Sequence, residues 1–241
     1  METRESSPAS PDSPGLLALW TRGLLRILII VAILLSVLLL AAGRIHWPAA
    51  WLLAFLYFIF LLAVMVWGTR NAPELMRERG TIAGNVKTWD KVINALYSVL
   101  IVGLLVIAGL DAGRNQWSSM PTPIQALGVA GLLFAGWLIW RTMAENAYSS
   151  RWARIQDDRA QKVVSSGPYG YVRHPMYLAI ILLVFSMPLA LGSWWALIPT
   201  CLIGALFAFR TLLEDRMLRE ELAGYQEYAD RVRYRLLPRV W

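Results

Sequence analysis

Apolar residues along the chain run in long blocks with no polar partner on alternate turns, a pattern that belongs to helices surrounded by lipid or buried on all sides. Five stretches contain no Asp, Glu, Lys or Arg: Ile27–Gly43, Ile45–Thr69, Val92–Leu110, Asn115–Trp140 and Pro175–Phe209. About 20 apolar residues cross a bilayer core of roughly 30 Å, so each of the first four predicts one span. The fifth is 35 residues long, about 52 Å as a straight helix, which is too long for one crossing. Pro188, Gly192 and Ser193 lie at its middle, where helix-breaking chemistry predicts a turn. The expectation is a hairpin of two short helices, about 176–190 and 194–210. The fold class is therefore all-α: a polytopic membrane bundle of about six spans with a cytoplasmic C-terminal helix.

Basic residues decide the orientation. Of the 23 Lys and Arg, 21 fall in the N-terminal segment, the 68–91 and 141–174 loops and the C-terminal tail, leaving only Arg44 and Arg114 for the other side. The positive-inside rule then puts both termini in the cytoplasm, at the inner membrane if the host is bacterial. The net charge of +7 thus reflects topology, and no nucleic-acid partner is expected. Composition agrees, with 57% hydrophobic residues, 16% charged and 12 Trp. Soluble domains average nearer 25% charged, and indole rings gather at membrane interfaces. A single cysteine, Cys201, excludes a disulfide framework, and no metal centre is expected. The Ser/Pro-rich residues 1–20 read as a disordered tail, and 21–241 as one transmembrane domain whose motifs lie in 145–241.

Polar chemistry gathers in three cytoplasmic segments. The first, Gly68–Lys91, carries Trp89-Asp90-Lys91 and reads as a connector with an interfacial anchor. The second holds Gly167-Pro168-Tyr169 and Arg173-His174-Pro175-Met176-Tyr177. Gly167-Pro168 predicts a turn. Pro175 predicts the first residue of a helix whose free N–H groups lie beside Arg173 and His174. The third begins at Arg210 and Glu214, four apart on one helical face. By spacing alone these two form either an ordinary ion pair or a charged pair at the mouth of a membrane cavity. Beyond them a short helix rich in Glu, Arg and Tyr is expected to close over the hairpin.

Together the second and third segments resemble the isoprenylcysteine carboxyl methyltransferase family, integral membrane enzymes that use S-adenosylmethionine. The matching strings are Val163-Val164-Ser165-Ser166-Gly167-Pro168-Tyr169, Arg173-His174-Pro175-Met176-Tyr177, Arg210-x-x-x-Glu214-Asp215-x-x-Leu218 and Gly224-Tyr225-x-x-Tyr228-x-x-Arg231-Val232. The resemblance implies cofactor contacts at Gln161, Lys162, Val163, Val164, Tyr169, His174, Pro175, Met176, Tyr177 and Glu214. It places Arg210 at the methyl acceptor, with Arg210, Glu214 and His174 as the residues carrying the chemistry. The family commonly has two glutamates where this chain has Glu214-Asp215, so no role passes to Asp215.

The implied acceptor is lipophilic or lipid-linked, a prenylated carboxylate or a phospholipid amine, reached from the surrounding lipids. Two rivals stand beside this reading. An NADPH-dependent isoprenoid or sterol reductase would share the Arg-His-Pro stretch and the Tyr234-Arg235…Pro238 ending, but its motif usually has Asn at the place of Met176. A non-catalytic membrane scaffold is the other. The methyltransferase reading requires Tyr169, His174, Tyr177 and Glu214 to line one pocket.

Overall fold

The computed structural model describes residues 16–80 and 85–241. Eight α-helices follow in order: α1 (Leu16–Ala42), α2 (Pro48–Asn71), α3 (Pro73–Gly80), α4 (Thr88–Ala108), α5 (Thr122–Glu145), α6 (Pro175–Leu191), α7 (Leu197–Glu221) and α8 (Tyr225–Arg231). No strand occurs among the described residues. Among the described residues, five helices are long and apolar enough to cross a membrane: α1, α2, α4 with its continuation to Asn115, α5 and α7. The sixth, α6, has 17 residues, about 25 Å of helix, and falls just short of a full crossing. α1 starts at Leu16, inside the stretch expected to be a disordered tail; residues 1–15 of that tail lie outside the described residues.

Prolines open α2, α5 and α6 within their first two positions, where the missing N–H leaves no bond unmade. The α6–α7 hairpin turns at Gly192, whose φ of +81° ends α6, as glycine in the left-handed region commonly does. Pro188 stays inside α6 and does not break it. α7 departs from expectation. It does not end near residue 210 but continues to Glu221, because its charged turns face protein partners, described below, and are held in the bundle.

Leu38, Leu104, Val184, Ile203 and Phe207, from α1, α4, α6 and α7, are each 2% exposed or less and meet in one core. Outside it, Ile33, Leu40, Phe55, Val99 and Leu133 are exposed, forming apolar flanks that suit lipid. α5 lies directly against α6. A Cβ on Gly128 would collide with the backbone nitrogen of Ala190 and sit 2.8 Å from the carbonyl carbon of Leu189, the close helix approach that small residues permit in membranes.

At one end of the bundle, α4 unwinds into a π-helical turn, Gly109–Asn115. Asp111 there is fully buried and accepts bonds from the Ser118 N–H at 2.8 Å, the Ser118 hydroxyl at 2.5 Å and the Ser193 hydroxyl at 2.5 Å. It thereby ties α4 to the α6–α7 turn. Arg44 and Arg114 are at this same end, donating to the Ala112 and Leu40 carbonyls. The loops that carry the candidate chemistry gather at the opposite end.

Candidate active site

The motif segment is shaped first by Gly167, whose φ of +56° lies in the left-handed region. A Cβ there would also meet the Glu145 side chain at 2.7 Å. Gly167–Gly170 then makes one 3₁₀ turn that drives Tyr169 inward until it is 8% exposed. The Asn146 amide donates to its hydroxyl at 2.9 Å, and the Tyr228 hydroxyl donates to its carbonyl at 2.8 Å. Burial pushes the Tyr169 phenol well above its ordinary pKa. Farther on, Pro175 is the first residue of α6, as its sequence context predicts, and His174 precedes it with extended-side φ of −123°. The Arg173 and His174 N–H groups donate to the carbonyls of Tyr234 and Arg235, both at 2.9 Å. The chain's last segment thus folds back over the motif.

These elements enclose a polar cleft of about 800 Å³ including its open mouth. Gln161, Lys162, Val163 and Val164 line one side, and Tyr169, His174, Met176 and Tyr177 line the floor. Glu214, from α7, completes it. The convergence required of Tyr169, His174, Tyr177 and Glu214 is met. The Tyr177 hydroxyl donates to the Glu214 carboxylate, and the His174 and Tyr177 rings lie parallel with centroids 5.7 Å apart.

Two expected residues are elsewhere. Pro175 is buried and lines a different groove, with Leu138, Val172 and Pro238, because the first turn of α6 carries its ring toward α5. Arg210 lines a second chamber of about 1000 Å³ including its open mouth, bounded by Asn94, Tyr97 and Ser98 of α4, Ile180 of α6 and Phe207 of α7. Ser150, Trp152, Met176 and Tyr177 line both cavities and form the wall they share.

The i, i+4 spacing of Arg210 and Glu214 does not make them partners. Arg210 Nε lies 2.8 Å from Asp90 Oδ1, with both side chains buried, while Arg210 Nη2 donates to the Arg151 carbonyl at 2.9 Å. The guanidinium also covers the Tyr177 ring at 5.0 Å. Asp90 is fixed in turn by the Ala153 N–H at 2.8 Å and the Asn94 amide at 3.2 Å. Sequence reading placed Asp90 only in a connector. Its one available signal was a carboxylate at the start of a span, where unpaired charge is costly.

Asp215 is the largest omission. It is 1% exposed and lies where several cationic side chains meet. Arg173 grips it with a fork, Nε to Oδ1 at 2.7 Å and Nη2 to Oδ2 at 3.0 Å, the strongest form of such a contact. Arg235 and Arg219 donate to Oδ2 at 3.1 and 3.2 Å, and the Tyr225 hydroxyl donates to Oδ1 at 3.0 Å. His174 Nε2 stands 3.4 Å from Oδ1. The shorter carboxylate therefore has a full set of partners. It joins the motif segment, α7, α8 and the final residues behind the cleft. Tyr225, Tyr228 and Ala229 of α8 pack beside Tyr169, Val163 and Val164, so the short helix beyond α7 covers the motif segment.

Residues 124–223 match the family described as phospholipid methyltransferase. The resemblance read from the motifs holds at this level, since the family is that of the isoprenylcysteine carboxyl methyltransferase-like membrane enzymes. The matched segment runs from α5 to the end of α7 and includes the Gly167–Tyr177 motif, Arg210, Glu214 and Asp215. Asp90, which holds Arg210, and α8, whose Tyr225 and Tyr228 line the polar cleft, lie outside it. Comparison with curated proteins gives no match.

Proposed function

We propose that the protein methylates a lipophilic acceptor, with S-adenosylmethionine held in the polar cleft and the acceptor in the second chamber. The preferred reaction is carboxyl O-methylation of an isoprenylcysteine-like or other lipid-linked carboxylate. The observation that carries this reading is the shared wall at Met176 and Tyr177. It brings a polar cleft and a chamber set among membrane helices to opposite sides of the same side chains. The charge distribution along the chain supports placing both termini, and this end of the bundle, in the cytoplasm.

The cleft suits the cofactor's chemistry. Glu214 offers a carboxylate for the ammonium of the methionine part, the aromatic faces of Tyr177 and His174 suit a sulfonium cation, and Val163, Val164, Leu218 and Leu222 offer an apolar wall for a flat base. When bound, the cofactor supplies a methyl group already activated on sulfur. The residues of this chain then have to align the nucleophile with that carbon and exclude water. A carboxylate needs no base, and Arg210, held rigid by Asp90, can orient it with a fork of N–H groups.

A second reading, methylation of an aminophospholipid, is favoured by the hydrogen bond between Tyr177 and Glu214. That pair provides a carboxylate at the shared wall to receive the proton an amine must lose.

The test is transfer of labelled methyl from S-adenosylmethionine into a prenyl-cysteine analogue and, in parallel, into a lipid extract. Wild-type protein should label one of them, and His174→Ala and Glu214→Ala should not. Calorimetry showing NADPH binding with no binding of S-adenosylmethionine overturns the reading in favour of a reductase.

A further inference from the structure

The second chamber carries more positive charge than methyl transfer requires. Arg79 from the end of α3, Lys91 from the start of α4, Arg151 from the loop between α5 and α6, and Arg210 all line it, and among the described residues no carboxylate does. Arg210 is matched by Asp90. The other three form no ion pair with a carboxylate among the described residues.

Arg79 is half-buried and donates to a neutral group, the Ser149 carbonyl, at 2.7 Å. Burial and, after it, the nearby Arg151 guanidinium push its pKa down to about 10. Like charges gathered at a partly desolvated wall repel one another, and an anion between them relieves that repulsion. The same chamber has an apolar side made by Ala95, Tyr97, Ile180 and Phe207, on the apolar helices α4, α6 and α7. A negatively charged group on an apolar stem satisfies both sides.

We propose that Arg79, Lys91 and Arg151 are specificity-determining residues that hold the headgroup oxyanion, a phosphodiester or a carboxylate, of an anionic lipid acceptor. This rests on the reading that the second chamber receives the acceptor. The cluster is distinct from Arg210, which faces the shared wall, so it grips a charge on the acceptor besides the group that is methylated. A lipid whose head carries only a cationic amine is excluded by the same residues.

The test uses the full chain in detergent, with native mass spectrometry reading retention of added phosphatidylglycerol, oleate or neutral diacylglycerol. Phosphatidylglycerol should be retained if the site takes a phosphodiester, oleate if it takes a carboxylate, and diacylglycerol should be lost. Each basic side chain near a membrane surface contributes about fivefold in affinity for an anionic lipid, so Lys91→Gln with Arg151→Gln should weaken retention about thirtyfold. Both positions are exposed, so the fold is not at stake, and Lys91 with Arg151→Lys should recover most of the loss. Arg216→Gln, at an exposed site paired with Glu220, should change nothing.

Equal retention of diacylglycerol and the anionic lipids overturns the proposal, as does a double variant within about twofold of wild type. Calorimetry with S-adenosylmethionine separates the two levels. Charge-dependent retention without cofactor binding removes the methyltransferase reading and leaves the anion site. Cofactor binding without charge-dependent retention removes the anion site alone.

Discussion

Replacing Asp215 by alanine is the sharpest probe of how the site is held together. The substitution removes the common acceptor of Arg173, Arg219, Arg235 and Tyr225. These donors do not suffer equally. The Arg219 and Arg235 side chains are 30% exposed and can turn to water, where such pairs contribute little. Arg173, 2% exposed, cannot. It keeps only Nη1 donating to the Val232 and Arg233 carbonyls, at 2.7 and 2.9 Å.

Leaving one charge of a buried pair uncompensated costs about 3–5 kcal/mol. The two surviving carbonyl contacts argue for the lower end, about 3 kcal/mol. For a chain of this size each kcal/mol lowers the midpoint by roughly 2–4 °C, so thermal unfolding in detergent should move down by roughly 10 °C. The loss should be local before it is global. Trypsin should cut at Arg231, Arg233 and Arg235 well below the midpoint, and S-adenosylmethionine affinity should fall with release of that segment. Asp215→Glu should recover part of the loss, because the carboxylate remains. A midpoint within about 2 °C of wild type, with the tail still resistant to trypsin, refutes the view that Asp215 holds the cleft from behind.

Three further expectations follow from the same geometry. Gly128→Val should lower the unfolding midpoint in detergent, because the new side chain meets α6 backbone and not a movable side chain; overpacking of this kind costs about 1–3 kcal/mol. Asp90→Asn should leave Arg210 buried without a counter-charge, so methyl transfer should drop by more than tenfold, roughly the effect of 1.4 kcal/mol or more, while cofactor affinity measured by calorimetry stays near wild type. On the alkaline side, burial raises the Tyr169, Tyr225 and Tyr228 phenols above the ordinary 10.0. Groups raised on folding contribute stability that is complete below the unfolded pKa and is lost as pH climbs through the folded one. Phenolate absorbance should therefore show these three ionising only as helicity measured by circular dichroism falls; ionisation with helicity intact would contradict their burial.

The spans were readable because charge-free length is a local property of the chain. The four single runs and the hairpin turn at Gly192 fall close to the observed helices. What could not be read is where charged residues turn when partners lie far along the chain. α7 was expected to stop at its first cluster of charges, yet Arg210 and Asp215 face inward, and helix continues past them. Arg210 and Glu214 have the spacing of a helical pair, but Asp90 is fully buried and claims the guanidinium. Asp215 looked like a shortened glutamate. Its partner Arg173 lies 42 residues earlier, and no local pattern links them. The motif residues of the cleft were found because they are close in sequence, while their supporting carboxylates were missed because they are not.

The backbone bonds from Arg173 and His174 to Tyr234 and Arg235 also set an order of assembly. During synthesis the motif segment leaves the ribosome about sixty residues before the carbonyls that will receive its N–H groups. The helices can insert and pack in that interval, but the back of the cleft stays open until the final segment arrives. The cleft is therefore completed only after the membrane-embedded part has formed.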